Sequence, residues 1–280
     1  MGPRWICVVV ALFASLCACL GRSVVEMDEN GFQVHRLKSE YQASETVIRV
    51  LLPDDYDYRK DYRVLYVLPV IEHDNRRFGD GLLEVKQYGF HNTHQLICVA
   101  PEFSHMPWYA DHDLNPEKRD ESYVLKVVIP LVGERYSVVE DAKGRLLVGF
   151  SKSGWGALTL LLRNPDTFYR AVGWDTGIRV DTGPIEEADR QERIGLNFGT
   201  EANFERYRIS TLIRERGKEL DGEVRLFYYN TEGRRAVGGA RIHQLMVEEE
   251  IPHLYLFEPK RTHRWDSGWL PRAVAFLMGE

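Results

Sequence analysis

The chain has 280 residues, a net charge of −6, a hydrophobic fraction of 44% and a charged fraction of 28%. These fractions are ordinary for a soluble globular protein, and the length suits one large domain after a short leader. The negative charge, together with the lack of a dense cluster of lysine and arginine, argues against a nucleic-acid partner.

Residues 1–21 predict a secretory signal peptide. Arg4 gives a positive start, an almost wholly apolar stretch runs from Trp5 to Leu16, and small residues follow near Ala18. The apolar run is short for a membrane span, which needs about 20 residues. The end of the run also resembles a bacterial lipobox, so the alternative is a lipoprotein signal in which a lipid on Cys19 tethers the chain to a membrane. Both interpretations predict a secreted or periplasmic protein.

For the rest of the chain, the sequence predicts a short polar tether at residues 22–31 and the folded domain at residues 32–280. Cys98 is the only cysteine well inside that domain, so an internal disulfide has no second partner. Because Cys98 lies in an apolar run, we expect it to be a small buried hydrophobic residue.

Apolar patterns along the domain predict alternating strands and helices. In chain order we expect strands at 32–36, 46–52 and 62–70, a helix at 81–88, a strand at 95–100, a helix at 123–135, a strand at 146–149, a helix at 155–163, strands at 171–174 and 224–229, a helix at 241–250, a strand at 254–257 and a helix at 270–278. The alternation is typical of an α/β fold with a mostly parallel central sheet and helices on both faces. Ligands of such sheets bind at the carboxyl ends of the strands.

One serine lies directly after a predicted buried strand. Residues Gly149 to Ser153 read G-F-S-K-S and depart from the pattern G-x-S-x-G only in the last residue, which is also small. A strand, a sharp turn and a helix would hold the Ser151 hydroxyl at the edge of the sheet, where a serine can act as a nucleophile. The alternative is an ordinary serine-glycine loop between a core strand and a helix.

A serine nucleophile needs a histidine base and a carboxylate that orients the histidine. In α/β-hydrolases they occur in the chain order serine, acid, histidine. His263 lies in the loop after the last predicted strand, and Glu232 is the only carboxylate in the loop after the preceding strand. We expect Glu232 to be the acid. The alternatives are that Asp175, which follows an earlier strand, is the acid, or that Glu232 is an exposed turn residue.

The oxyanion of an ester reaction needs two backbone N–H donors. One should belong to Lys152, the residue after the serine, and the other to the loop after the strand at 62–70. Pro69 in that loop has no N–H, so Val70 or Ile71 must donate.

Several short motifs occur in a fixed order along residues 45–280. They are Tyr66-Val67-Leu68, Trp108-Tyr109-Ala110-Asp111 after Pro101, Glu121-Ser122-Tyr123, residues 149–157, Pro165-Asp166-Thr167-Phe168, Thr262-His263-Arg264-Trp265 and Trp269. In this order they resemble the esterase D (putative esterase) family of α/β-hydrolases, which includes S-formylglutathione hydrolases, feruloyl esterases and mycolyltransferases. The loop at Pro69 departs from the glycine-containing pattern of that family.

The resemblance implies an α/β-hydrolase fold and a serine carboxylesterase. With the predicted leader, we expect this enzyme to be exported, and we expect it to need no cofactor. The resemblance also implies that Ser151 is the nucleophile, His263 the base and Glu232 the acid. The N–H groups of Ile71 and Lys152 would bind the oxyanion. The implied reaction is hydrolysis of an ester or thioester through an acyl-enzyme, with a small-molecule or carbohydrate-linked substrate.

Two other functions remain open. The same site could serve an acyltransferase with a sugar or lipid alcohol as acceptor. A non-catalytic binding module on a hydrolase fold is the second alternative, and the altered oxyanion loop favours it.

Other polar and aromatic residues carry weaker predictions. Four aromatic residues are candidates for the wall of a substrate pocket, with plain core as the alternative: Trp108, Tyr109, Trp155 and Trp265. Four residues of one segment fit no zinc pattern, so we expect a solvated loop there and no metal site: His105, Asp111, His112 and Asp113.

Overall fold

A computed structural model describes residues 26–72, 77–176, 181, 185–233 and 236–280. The predicted signal peptide, with Cys19, lies outside the described residues. Among the helices in these ranges, none combines the length and the apolar character that a membrane span requires.

The described residues form a nine-stranded sheet. Its strands are β1 (Glu26–Met27), β2 (Gln33–Leu37), β3 (Thr46–Leu51), β4 (Arg63–Val67), β5 (Leu96–Pro101), β6 (Arg145–Phe150), β7 (Arg170–Trp174), β8 (Leu226–Asn230) and β9 (His253–Phe257). Their order across the sheet is β1-β2-β3-β5-β4-β6-β7-β8-β9. The pairs β1-β2, β2-β3 and β3-β5 are antiparallel. All pairs from β5-β4 to β8-β9 are parallel. The prediction of a mostly parallel sheet is confirmed.

Helices connect the parallel strands. They are α1 (Gly81–Gln87), α2 (Phe90–Thr93), α3 (Asp120–Tyr123), α4 (Ile129–Arg135), α5 (Ser151–Arg163), α6 (Glu187–Phe198), α7 (Glu201–Tyr207), α8 (Ile209–Arg216), α9 (Ala236–Glu248) and α10 (Leu270–Met278). The single helix predicted at 123–135 is interrupted by a π-helical segment, Val124–Val128. Pro130 lies in the first turn of α4, where its missing N–H disturbs the regular ladder least.

Both faces of the sheet are buried, which explains the apolar runs in its strands. Side chains alternate along a strand, so β4 sends Val64 and Tyr66 into one core and Leu65 and Val67 into the other. The first core also contains apolar residues of α5, α8 and α9, and the second contains those of α1 and α10. Cys98 in β5 is fully buried as expected, and burial raises the pKa of its thiol.

The segment between β7 and β8 is more elaborate than its sequence pattern indicates. It contains the helices α6, α7 and α8, of which the sequence indicates only an exposed helix face at the acidic run 186–189, where α6 begins. Helix α6 is mostly polar, and only Ile194 and Phe198 are buried. Phe198 packs against Trp108 and Trp155, so this segment covers aromatic residues that would otherwise face solvent.

Part of the predicted tether at 22–31 belongs to the sheet. Glu26 and Met27 pair with β2, and the Asp28 carboxylate accepts hydrogen bonds from the N–H groups of Asn30 and Phe32, both at 2.9 Å. This tight turn lets the two strands pair directly, a feature that a polar composition alone does not indicate.

Candidate active site

Ser151 lies where β6 ends and α5 begins. Its φ angle is +55°, a left-handed conformation that costs a non-glycine residue about 1–2 kcal/mol. Ser153, which replaces the last glycine of the G-x-S-x-G pattern, stabilises this turn. Its hydroxyl accepts from the Phe150 N–H at 3.1 Å and donates to the Phe150 carbonyl at 3.0 Å. The turn therefore has the strand-turn-helix geometry that the sequence predicts.

Glycine is needed at position 154 for close packing below the turn. A Cβ there would lie 2.2 Å from Thr176 Cγ2 and 2.9 Å from the Gly149 carbonyl oxygen. We expect Gly154→Ala to lower the free energy of unfolding by about 1–3 kcal/mol, measured by urea denaturation. Gly133→Ala is the matched control, because Gly133 is an exposed helical residue where a Cβ meets nothing within 4 Å. It should leave stability unchanged or raise it by about 0.5–1 kcal/mol. Equal destabilisation by the two substitutions would contradict the packing argument.

His263 and Asp175 form a close pair at the same edge of the sheet. His263 Nδ1 lies 2.5 Å from Asp175 Oδ2, and the Asp175 side chain is only 4% exposed. Asp175 directly follows β7, and His263 lies in the loop after β9. A carboxylate at Nδ1 holds the proton of a neutral imidazole there and leaves Nε2 able to accept another.

Three aromatic rings that sequence analysis missed surround the imidazole of His263. Its ring centroid lies 4.9 Å from that of Phe150, 5.6 Å from that of Phe78 and 6.0 Å from that of Trp174. Phe150 directly precedes Ser151, so the contact holds the imidazole beside the serine turn. The available signal was that Phe150 directly follows one predicted strand and Trp174 ends another, whereas Phe78 had no such signal.

The pairing of His263 with Asp175 corrects our preferred choice of acid. Glu232 is exposed in the loop after β8, as in the alternative of a turn residue. The physical reason is strand order: β7 is the direct neighbour of β6, and Trp174 pairs with Phe150 in register. Asp175 is therefore level with Ser151 on the adjacent strand, whereas β8 lies one strand further away.

The two predicted oxyanion donors follow neighbouring strands. Val67 of β4 pairs with Val148 of β6. Ile71 and Lys152 each follow four residues later, so both lie beyond the same edge of the sheet. Lys152 is the second residue of α5, and the first four N–H groups of a helix have no partner within it. Ile71 is 8% exposed.

The four aromatic pocket candidates are mostly core. Tyr109, Trp155 and Trp265 are 0%, 1% and 3% exposed, so the expectation that they line a pocket is wrong. Two glycines, which leave room for a ring because they have no Cβ, and the α6 segment explain this burial. Tyr109 packs on Gly156, Trp265 packs on Gly81, and Phe198 of α6 covers Trp155. Trp108 is only half-buried, and the Lys152 ammonium lies 5.9 Å from its ring centroid.

A second serine-histidine-aspartate group lies in the structure. His105 Nε2 is 2.9 Å from Asp120 Oδ1, and His105 Nδ1 is 3.3 Å from Ser104 Oγ. The Ser104 hydroxyl donates to Gln42 Oε1 at 3.1 Å, so its proton is directed to an amide and not to the imidazole. This group holds a loop together and does not activate a nucleophile.

The four residues of the segment for which we expect no metal site are each engaged within the protein. Asp113 accepts a hydrogen bond from the Thr200 hydroxyl. His105 contacts Asp120, as above. His112 Nε2 lies 3.1 Å from the Gly195 carbonyl oxygen, and Asp111 accepts from the backbone and the hydroxyl of Ser122. Within the described ranges, no set of three or more His, Cys, Asp or Glu residues is arranged to hold a metal ion.

Comparisons with known proteins show similarity to esterases in sequence and in fold. A sequence model of the family described as Putative esterase matches residues 39–174. An esterase of Mycobacterium tuberculosis is 25% identical over 157 residues, which cover 54% of this chain and 34% of that protein. The chain therefore spans about a third of the length of that curated relative.

Solved structures share the fold over most of their length. A ferulic acid esterase superposes with a TM-score of 0.69 at 19% identity, covering 89% of this chain and 97% of that one. An S-formylglutathione hydrolase of Staphylococcus aureus superposes with a TM-score of 0.70 at 15% identity, covering 88% and 98%. These findings support the prediction of a carboxylesterase. They confirm the resemblance inferred from the motifs: residues 39–174 match the model of the Putative esterase family, and the chain has the α/β-hydrolase fold.

Proposed function

We propose that this chain is a serine carboxylesterase in which Ser151, His263 and Asp175 act together. The observation that carries the proposal is the 2.5 Å contact between His263 and the buried Asp175, with the His263 ring packed on the residue before Ser151. The left-handed turn at Ser151 supports it, because strained backbone at a strand-helix junction is typical of an exposed nucleophile.

In the first half of the reaction, Ser151 Oγ attacks the carbonyl carbon of the ester and its proton passes to His263 Nε2. Asp175 stabilises the imidazolium that forms. The backbone N–H groups of Lys152 and Ile71 bind the negative oxygen of the tetrahedral intermediate. When the intermediate collapses, His263 gives its proton to the leaving alcohol or thiol, and the acyl group remains on Ser151.

The second half repeats these steps with water. His263 removes a proton from the water while its oxygen attacks the acyl-enzyme, and the oxyanion again forms beside the same N–H groups. Collapse returns the proton to Ser151 and releases the carboxylic acid. The chain's own residues supply every proton transfer, so the scheme needs no cofactor.

A panel of esters tests the function. The full chain should hydrolyse at least one among p-nitrophenyl acetate, a feruloyl ester, an acetylated sugar and a short thioester. Products are then compared with and without an added sugar or lipid alcohol. Free acid in both cases supports the esterase, and an acyl acceptor product would favour the acyltransferase. No turnover of any ester would favour the non-catalytic binding module.

A further inference from the structure

We propose that Tyr109 is a positioning residue that fixes the oxyanion-binding backbone after β4. The inference rests on the proposed esterase function. Tyr109 is fully buried, so it does not touch substrate and acts through the Pro69 carbonyl.

The backbone after β4 loses its sheet contacts just before the predicted donor. The Leu68 N–H donates to the Val148 carbonyl at 2.9 Å, which is the last ladder bond in this direction. Pro69, the next residue, has no N–H to donate to the sheet. Its carbonyl instead accepts a hydrogen bond of 2.6 Å from the Tyr109 hydroxyl. This contact holds the chain two residues before Ile71.

Tyr109 is itself held from several sides. Its N–H donates to Asp120 Oδ2 at 3.1 Å, and its carbonyl accepts from Arg163 Nη2 at 2.8 Å. Its ring packs on Gly156 of α5, where an added Cβ would lie 2.2 Å from the ring. Its φ angle of +54° is unusual for a residue with a Cβ, and these contacts keep it in that conformation.

The hydroxyl is suited to act as a permanent donor. Burial, with a smaller effect from Asp120, raises the pKa of Tyr109 well above its ordinary value. The O–H group therefore stays protonated at neutral pH. Because Tyr109 packs on the helix that begins at Ser151 and bonds to the loop after β4, it sets the spacing between nucleophile and oxyanion donor. A shift of the loop would weaken hydrogen bonds that matter most in the transition state.

Tyr109→Phe tests this role because it removes one oxygen atom and keeps the ring. With p-nitrophenyl acetate we expect kcat to fall about tenfold, less than the 10²–10³ that follows complete loss of an oxyanion donor. KM should change less than about twofold, because the ground-state carbonyl depends less on the donor. The inhibition constant of a trifluoromethyl ketone, which forms a tetrahedral oxyanion on the serine, should rise by about the same factor as kcat falls.

Tyr123→Phe is the matched control. Tyr123 is also fully buried, and its hydroxyl lies 2.8 Å from Thr46 Oγ1, away from the loop after β4. Both variants should lose similar stability, measured as the midpoint of thermal unfolding. Only Tyr109→Phe should lose kcat and inhibitor affinity, with assays made well below both midpoints.

Two results would overturn the inference: unchanged kcat and inhibitor affinity in Tyr109→Phe, or an equal loss in Tyr123→Phe. Failure of the proposed function is distinguishable, because wild-type protein would then neither hydrolyse esters nor react with a fluorophosphonate.

Discussion

Replacing Ser151 by alanine is expected to lower kcat toward esters by about 10⁴-fold or more while the protein stays folded. The Oγ atom is the only group of the site that forms a bond to substrate in the proposed reaction. Some catalysis above the rate in water should persist, since the N–H donors at Lys152 and Ile71 still stabilise the oxyanion when water attacks directly. KM should change little, because the substitution removes no binding surface of appreciable size.

A fluorophosphonate probe gives an independent measurement. It should label wild type through a covalent bond to Ser151 and leave Ser151→Ala unlabelled. Ser104→Ala is the matched control, because the Ser104 hydroxyl lies 3.3 Å from a histidine nitrogen, His105 Nδ1, away from the proposed site. Its labelling and turnover should equal those of wild type. Persistent labelling of Ser151→Ala, or its loss in Ser104→Ala, would move the nucleophile to another serine.

Much of the fold follows from sequence because its signals are local. Strands β4 to β8 are buried on both faces, so each is a short apolar run bounded by turns, and the helices between them have one apolar face. The helices α6 to α8 are absent from the predicted elements because their pattern is mostly polar, and their buried residues meet partners distant in the chain, such as Trp155. Distant contacts also decide that Trp155, against Phe198, and Tyr109, against Gly156, are core and not pocket.

The site was predictable where chain order determines position. Ser151 could be identified from a strand, small residues and a helix in sequence. His263 could be identified from its place in the loop after the last strand. The acid was different, because both Asp175 and Glu232 follow parallel strands and reach the same edge of the sheet. The choice between them depends on strand adjacency and on the path of the His263 loop. Neither is encoded in a local pattern, so the sequence favoured Glu232 only as the one carboxylate in the loop after the strand that precedes the last predicted strand.

Asp175→Asn is expected to lower kcat by about 10⁴-fold, with the protein still folded. Asparagine has nearly the same shape as aspartate, but its amide can present an N–H to His263 Nδ1. That contact favours the tautomer with the proton on Nε2, which cannot accept the Ser151 proton. The imidazolium of the transition state would also lose the buried negative charge that stabilises it.

Glu232→Gln is the matched control, because it makes the same change from carboxylate to amide in the loop after β8. Glu232 is exposed, and His263 Nδ1 already contacts Asp175, so kcat should stay within about twofold of wild type. Circular dichroism and thermal unfolding check that both variants are folded. A deeper loss in Glu232→Gln would mean that the loop after β8 supplies the acid during turnover. Wild-type activity in both variants, with Ser151→Ala inactive, would mean that serine and histidine work without a carboxylate, and the short contact between His263 and Asp175 would then serve only to hold the loop.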